Sequence, residues 1–347
     1  MSKRCIALLL VLVLTLAAGA CGSGAPSPTP AAPTPAEGAP ATEPTPGETA
    51  QELNWPTRPI QIVAPFAAGG DTDFNARMYA NRLGDILGQP VIVTNVTGAA
   101  GAVGSREVLE ADPDGYTILI NHAAFLTNYA IGAIDFGLED FEIAAIGGAH
   151  AGTLLAVNAN SPFYTLQDLM DASAERPGEL IWGNSLGGHV HAMGILFNRA
   201  GGAFNIVDSG DAAERVSLLL GGHVDVISNP IGHILPHIET GALRALAIIE
   251  YERNPFIPDI PTGIEQGFPG TAVPAYYFFA FPSGTPQEIV DRFADAMERI
   301  YQMEDYRAEI AEVFLQSPFF VRGEGVLDIL NAQRELFLGM SEEFLAR

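Results

Sequence analysis

Short apolar runs alternate with stretches of helical spacing along most of this chain, and that alternation restricts it to α/β architectures with largely parallel sheets. Ile60-Gln61-Ile62-Val63-Ala64 reads as a strand. Thr72 to Leu87 then carries helical spacing through Phe74, Met78, Leu83 and Leu87, and Gly88 stops it. Val91–Thr94 is the next strand, followed by a Gly/Ala loop, a short helix near Val103–Glu110 and the strand Thr117–Ile120. Strands about thirty residues apart with helices between them mark βαβ units. A second series predicts helices at Leu166–Ala174, His191–Arg199 and Ala212–Leu220, with strands at Leu180–Trp182, Phe204–Val207 and Val224–Ser228. Arg244–Ile249 leads back to the apolar strand Tyr276–Phe281, and helices at Pro286–Tyr301 and Gly325–Phe344 close the chain. This order predicts two lobes, the second (158–248) inserted in the first (54–157 plus 249–347). The crossovers near Ala156–Asn158 and Ile248–Glu250 are the expected hinge. In such sheets a ligand lies beyond the carboxyl ends of the strands, at helix N-termini.

The N-terminus stands outside this pattern. Lys3 and Arg4 precede an apolar run from Ile6 to Leu16, and Ala17-Ala18-Gly19-Ala20 leads into Cys21. The run is short for a membrane span and ends in small residues, so residues 1–20 read as a signal peptide. A cysteine directly after them makes Cys21 a candidate lipidation site, with a plain secretory signal as the alternative. From Gly22 to Glu52 the chain contains eight prolines and almost no large apolar residue. Residues 21–53 are therefore expected to form a solvated tether. Cleavage before Cys21 leaves one cysteine, which excludes an intramolecular disulfide.

Charge narrows the function. A net charge of −24 argues against nucleic acid or an anionic lipid surface as the main partner. Lys3 is the only lysine, so the mature chain has none for a PLP Schiff base or a Walker A loop. No cofactor or metal is expected.

Five motifs follow one another in a recognisable order. Pro65-Phe66-Ala67-Ala68-Gly69-Gly70-Asp71-Thr72-Asp73 resembles the PFxxGGxxD loop of the tripartite tricarboxylate transporter receptors, the Bug or TctC-type solute-binding proteins. Asp112–Thr117 is similar to their PDGYT turn, and Leu220–Asp225 to LGGxVD. Pro236-His237-Ile238 through Ala247 resembles PHIxxGxLRALA, and Gly284-Thr285-Pro286 matches the closing GTP. The resemblance implies a periplasmic-binding-protein-like (type II) fold with a ligand cleft between its lobes. It implies capture of a small carboxylate and delivery to a membrane permease, by a monomer without chemistry of its own.

The residues support such a site independently. Two glycines after the first strand let backbone approach a ligand, and Asp71, Thr72 or Asp73 can cap the helix that follows. Gly98-Ala99-Ala100-Gly101 occupies the equivalent place after the second strand. Expected contacts are Phe66, Ala67, Gly70 and Asp73 in the first loop, Ala99 and Gly101 in the second, and His122 at a strand end. Ser185 and Asn229 are expected from the other lobe. Asp73 is expected to order loop and helix instead of touching the anion. The second loop departs from the family's Arg-Pro-Gly-x-Gly-Gly-Asn at Val96-Thr97, Ala100 and Ala102. Gly188 stands where a hydroxyl residue is usual, and Asn229 where Asp is frequent.

Two rival readings remain. Gly183-Asn184-Ser185-Leu186-Gly187 spells the GxSxG of α/β-type serine hydrolases and esterases. Aspartates (Asp208, Asp211, Asp225) and then His233 or His237 follow in triad order. The bland alternative is that Ser185 is a cleft polar group or a helix cap. His189-x-His191 and His233-x₃-His237 have ligand-like spacing for a metal-binding lipoprotein, although surface or packed histidines are the commoner outcome. Trp182 and Tyr276–Phe279 read as sheet core.

Overall fold

The computed structural model describes residues 53–346. The expected signal peptide, Cys21 and all of the tether but its last residue lie outside the described residues. The chain runs β1 (Ile60–Ala64), α1 (Asp71–Leu87), β2 (Val91–Asn95), α2 (Ala102–Leu109), β3 (Thr117–Asn121), α3 (Ala123–Ala130), β4 (Phe141–Ala149) and β5 (Thr153–Asn158). It continues through α4 (Leu166–Glu175), β6 (Ile181–Asn184), α5 (His189–Arg199), β7 (Asn205–Asp208), α6 (Ala212–Leu220), β8 (Val226–Pro230), α7 (Ile231–Glu239) and β9 (Leu243–Ile248). Last come β10 (Tyr276–Pro282), α8 (Gln287–Tyr301), α9 (Glu304–Phe314), β11 (Val321–Arg322), α10 (Glu324–Leu338) and α11 (Ser341–Leu345).

The strands form two mixed sheets, ordered β11-β4-β10-β3-β1-β2 and β7-β6-β8-β5-β9. In the first, β1 is parallel to β2 and β3, while β10 is antiparallel to β3 and β4. In the second, β6 is parallel to β7 and β8. The second sheet is wholly contained in sequence between β4 and β10 of the first, which is the inserted-lobe α/β architecture. The expected boundary needs correction, however. β5 pairs with β8 from Thr153↔Pro230 to Val157↔Val226, so it belongs to the second sheet. The division at 157/158 and the hinge segment Ala156–Asn158 fall inside a fully paired strand. The chain crosses between sheets at residues 150–152 instead.

Glycines explain why β4 looks unlike a strand. A Cβ at Gly147 would lie 2.6 Å from Met297 Cε and 2.8 Å from Phe279 Cε2, and one at Gly148 would lie 3.0 Å from Asn75 Oδ1. They let β4 pack closely under α8 and α1. The face of α8 that covers the first sheet buries Ile289, Val290, Phe293, Met297 and Ile300. Trp182, Tyr277, Phe278 and Phe279 are buried, as their apolar runs predict. The single C-terminal helix expected to Phe344 breaks at Gly339–Met340 into α10 and α11, whose Phe337 and Phe344 join an apolar cluster that includes Trp182 and Phe197 of the second lobe. Among the described residues no helix is long and apolar enough to cross a membrane.

Candidate ligand site at the strand ends

The parallel strands β1, β2 and β3 place their carboxyl ends at one edge, and the first two expected loops meet there. Helix α1 begins after Gly70 with acidic residues in its first turn, where they oppose the positive end of the helix dipole. Asp73 is buried, and its carboxylate accepts from the Gly69 N–H (2.9 Å), Asn95 Nδ2 (3.0 Å) and Arg77 Nε (3.0 Å). Asn95 Nδ2 also donates to the Phe66 carbonyl at 3.0 Å. Burial alone would raise the pKa of Asp73; the Arg77, Gly69 and Asn95 hydrogen bonds outweigh it and lower the pKa. One carboxylate thus ties the first loop, α1 and the end of β2 together.

Residues 67–70 of this loop are exposed. The Gly70 N–H turns back to the Ala67 carbonyl (3.4 Å), whereas the Ala67 and Ala68 N–H groups have no partner among the described residues. In the second loop Ala99 and Ala100 are both left-handed (φ 45° and 50°), a conformation that costs about 1–2 kcal/mol for a residue with a Cβ. The family glycine that Ala100 replaces fits this position without strain. Gly101 (φ 94°) is buried, and a Cβ there would lie 2.9 Å from Phe66 Cζ. Phe66 in turn stacks on His122 with ring centroids 4.6 Å apart.

His122 caps α3: its Nδ1 accepts the Ala124 N–H at 3.2 Å, which leaves the ring proton on Nε2. Burial pushes its pKa down to about 4, so it is a neutral donor at pH 7. Phe66, Ala67, Gly70, Asp73, Ala99, Gly101 and His122 therefore converge on one edge of the first lobe.

Two features of this edge were missed. Asp71, in the first turn of α1, ties the start of that helix to β10 and to the crossover after β4. Its Oδ2 accepts from Tyr277 Oη (2.8 Å) and His150 Nε2 (3.0 Å), and its Oδ1 from the Thr72 N–H (2.8 Å). Burial opposes ionisation of both partners. Their mutual hydrogen bond and attraction outweigh it, holding Asp71 well below the usual carboxylate range and raising His150 above 6.5. His189 approaches from the second lobe, its ring 6.4 Å from that of His150, and its Nε2 donates to the Val273 carbonyl at 2.9 Å. Burial and the His150 charge push His189 down to about 3. A cavity of about 550 Å³ flanks the crossover segments, lined by His150, Glu250, Asn254 and Tyr276 among others. Burial pushes Glu250 up to about 7 there, against the pull of His150.

The His150–Asp71 pair has a signed pH consequence. A raised histidine pKa contributes stability that is complete below the unfolded value of 6.5 and lost as pH rises through the folded one. The lowered Asp71 value contributes stability present above 3.8 and lost only in stronger acid. The melting-temperature gap between wild type and His150→Gln should be widest below pH 6.5 and narrow as pH rises through the raised His150 pKa. A gap that stays constant across this range contradicts the pairing.

The second lobe corrects two expectations. Ser185 is half-buried in the β6–α5 loop, but its Oγ makes no hydrogen bond among the described residues. His191 Nδ1 accepts the Gly187 N–H (3.1 Å) and His189 is taken by Val273, so neither serves as a base for Ser185. His233 and His237 lie on α7, and no group of three or more His, Cys, Asp or Glu residues is arranged to hold a metal among the described residues. Asn229, expected as a ligand contact, is fully buried, and both ends of its amide are taken within the second lobe. Its Oδ1 accepts Arg215 Nε at 2.6 Å and its Nδ2 donates to the Ala212 carbonyl at 2.8 Å.

Comparison with known proteins identifies the family. Residues 75–318 match the tripartite tricarboxylate transporter family receptor. Over 281 residues the chain is 32% identical to protein BugT of Bordetella pertussis, covering 78% of this chain and 85% of that protein. It resembles MatC from Rhodopseudomonas palustris with bound malate (TM-score 0.69, 26% identity, 84% and 100% of the two chains covered). It also resembles an R. palustris protein solved with adipate (TM-score 0.71, 26% identity, 84% and 97% covered). The matched family is one of transporter receptors, and the two solved relatives hold malate and adipate, which does not favour the hydrolase reading of Ser185. The chain belongs to the tripartite tricarboxylate transporter receptor family.

Proposed function

We propose that this chain is an exported receptor that captures a small carboxylate between its two lobes and delivers it to a membrane permease, held at the envelope by a lipid on Cys21. The observation that carries the reading is the joined pair of loops at the ends of β1 and β2. The exposed Ala67 and Ala68 N–H groups have no partner among the described residues, and the neutral His122, whose ring stacks on Phe66, carries its proton on Nε2. Backbone donors and a neutral imidazole can hold one carboxylate without a basic side chain. The net charge of −24 gives no long-range attraction for anions, so short-range donors must do the holding. With His150 protonated, which Asp71 favours, the Asp71–His150 pair is close to neutral as a unit and does not repel such a ligand. Malate and adipate in the two solved relatives make four- to six-carbon dicarboxylates the first substrates to test. Ala67, Gly70, Ala99 and Ser185 are the proposed direct neighbours of the ligand, with Phe66 as apolar wall.

A thermal-shift panel of carboxylates, amino acids and zinc tests this. A ligand at one hundred times its Kd should stabilise the folded state by about 2.7 kcal/mol, a shift of several degrees. A concentration-dependent shift with dicarboxylates supports the reading. A shift with zinc alone, or ester hydrolysis lost in Ser185→Ala, overturns it.

A further inference from the structure

Arg215 is the buried cation that nothing in the site so far uses. It lies in the first turns of α6 and is 5% exposed. Its Nε donates to Asn229 Oδ1 (2.6 Å) and its Nη1 to the Gly210 carbonyl (2.7 Å), both neutral acceptors. Nη2 makes no hydrogen bond among the described residues, and no carboxylate lies within 4.0 Å of the guanidinium there. The nearest acids are committed elsewhere. Asp211 accepts the Ala213 and Glu214 N–H groups as the cap of α6, and Asp208 accepts the Leu186 N–H. Burial lowers the pKa of Arg215 to about 10, against the pull of Asp211 and Asp208, so it stays charged at pH 7. A guanidinium taken out of water without a counterion is costly unless a partner arrives in the working state.

The fold says where that partner comes from. β6, β7 and β8 are parallel, so Asn184, Asp208 and Asn229 end at one edge of the second sheet. From that edge His189 reaches Val273, which precedes β10 of the first sheet. The Gly187 position in the β6–α5 loop lies against Ile131, just past α3. Arg215 therefore stands on the side of the second lobe that faces the first. Asn229 keeps its charge available: an aspartate in that position would form the ion pair internally and cancel it.

We propose that Arg215, positioned by the neutral Asn229, binds the second anionic group of the ligand and selects dicarboxylates over monocarboxylates. This rests on the carboxylate reading above and adds a specificity determinant to it. The Nη2 face supplies charge-assisted hydrogen bonds that a single-carboxylate ligand held on the first lobe does not use.

Titration calorimetry on wild type, Arg215→Gln and Asn229→Asp, with adipate, malate, hexanoate and butyrate as probes, tests it. Wild type should bind its preferred dicarboxylate at least tenfold more tightly than the monocarboxylate of equal length. Arg215→Gln should lose about 30-fold for the dicarboxylate and less than threefold for the monocarboxylate. Asn229→Asp should lose dicarboxylate affinity similarly while raising the melting temperature of the free protein, a combination that a damaged fold cannot produce. Equal losses for both ligand classes, or unchanged discrimination in both variants, overturn the role of Arg215 and leave carboxylate binding standing. Failure of all four probes to bind wild type overturns both.

Discussion

Asp73→Ala should weaken binding of the preferred dicarboxylate by roughly 30- to 100-fold and lower stability by about 2–3 kcal/mol. The substitution takes the acceptor from the Gly69 N–H and from Asn95 Nδ2, and leaves the half-exposed Arg77 guanidinium with Asn95 Oδ1 alone. Asn95 also holds the Phe66 carbonyl, so the loss reaches the aromatic wall as well as the helix start. Ala67 and Ala68 keep their N–H groups but no longer hold them in one place, and ordering the loop then opposes binding. Asp73→Asn keeps an acceptor and a similar shape while losing the charge, so it should fall between wild type and alanine. Calorimetry and thermal melting on the three proteins separate the effects. If Asp73→Ala binds like wild type, the loop does not carry the ligand.

The second large effect is expected at Gly101. Valine there must adopt φ near 94°, which costs about 1–2 kcal/mol for an ordinary residue and more for a β-branched one. Its Cβ also begins 2.9 Å from Phe66 Cζ, so the ring must leave its stack on His122 or the second loop must move. Overpacking of this kind adds about 1–3 kcal/mol. Binding should fall by at least about 100-fold, because both loops lose their relative placement. Phe66→Leu in the same chain relieves the clash while keeping the strained backbone, and it should recover part of the affinity. A Gly101→Val protein that binds normally shows that the two loops need not touch.

Much of the fold was legible because its strands are short apolar runs set between amphipathic helices. β1 and α1 were placed within a residue, since Ile60–Ala64 and the Gly88 stop leave little freedom. β4 and β5 were missed as strands. Gly147, Gly148 and Gly152 read as punctuation there, whereas in the fold Gly147 and Gly148 admit α8 and α1 against the sheet. That omission displaced the lobe boundary and the hinge. The loop residues of the first lobe were legible because they follow strand ends directly.

Side-chain networks between distant segments were not. His150 and Tyr277 stand 79 and 206 residues from Asp71, and no spacing rule joins them. Arg215 did leave a signal. It falls on the stripe of Ala212, Val216 and Leu219, where the inward face of a helix should be apolar. A charge in such a place asks for a partner, and the nearby Asn229 supplied only half of one.

The measurement that tests the central claim most directly is a calorimetric titration of the purified chain with the dicarboxylate that most raises its melting temperature, repeated on Asp73→Ala and Gly101→Val. The claim predicts one site per chain, a negative heat-capacity change as the lobes bury surface, and loss of most affinity in both variants. Binding that is absent from wild type, or present at full strength in both variants, contradicts it.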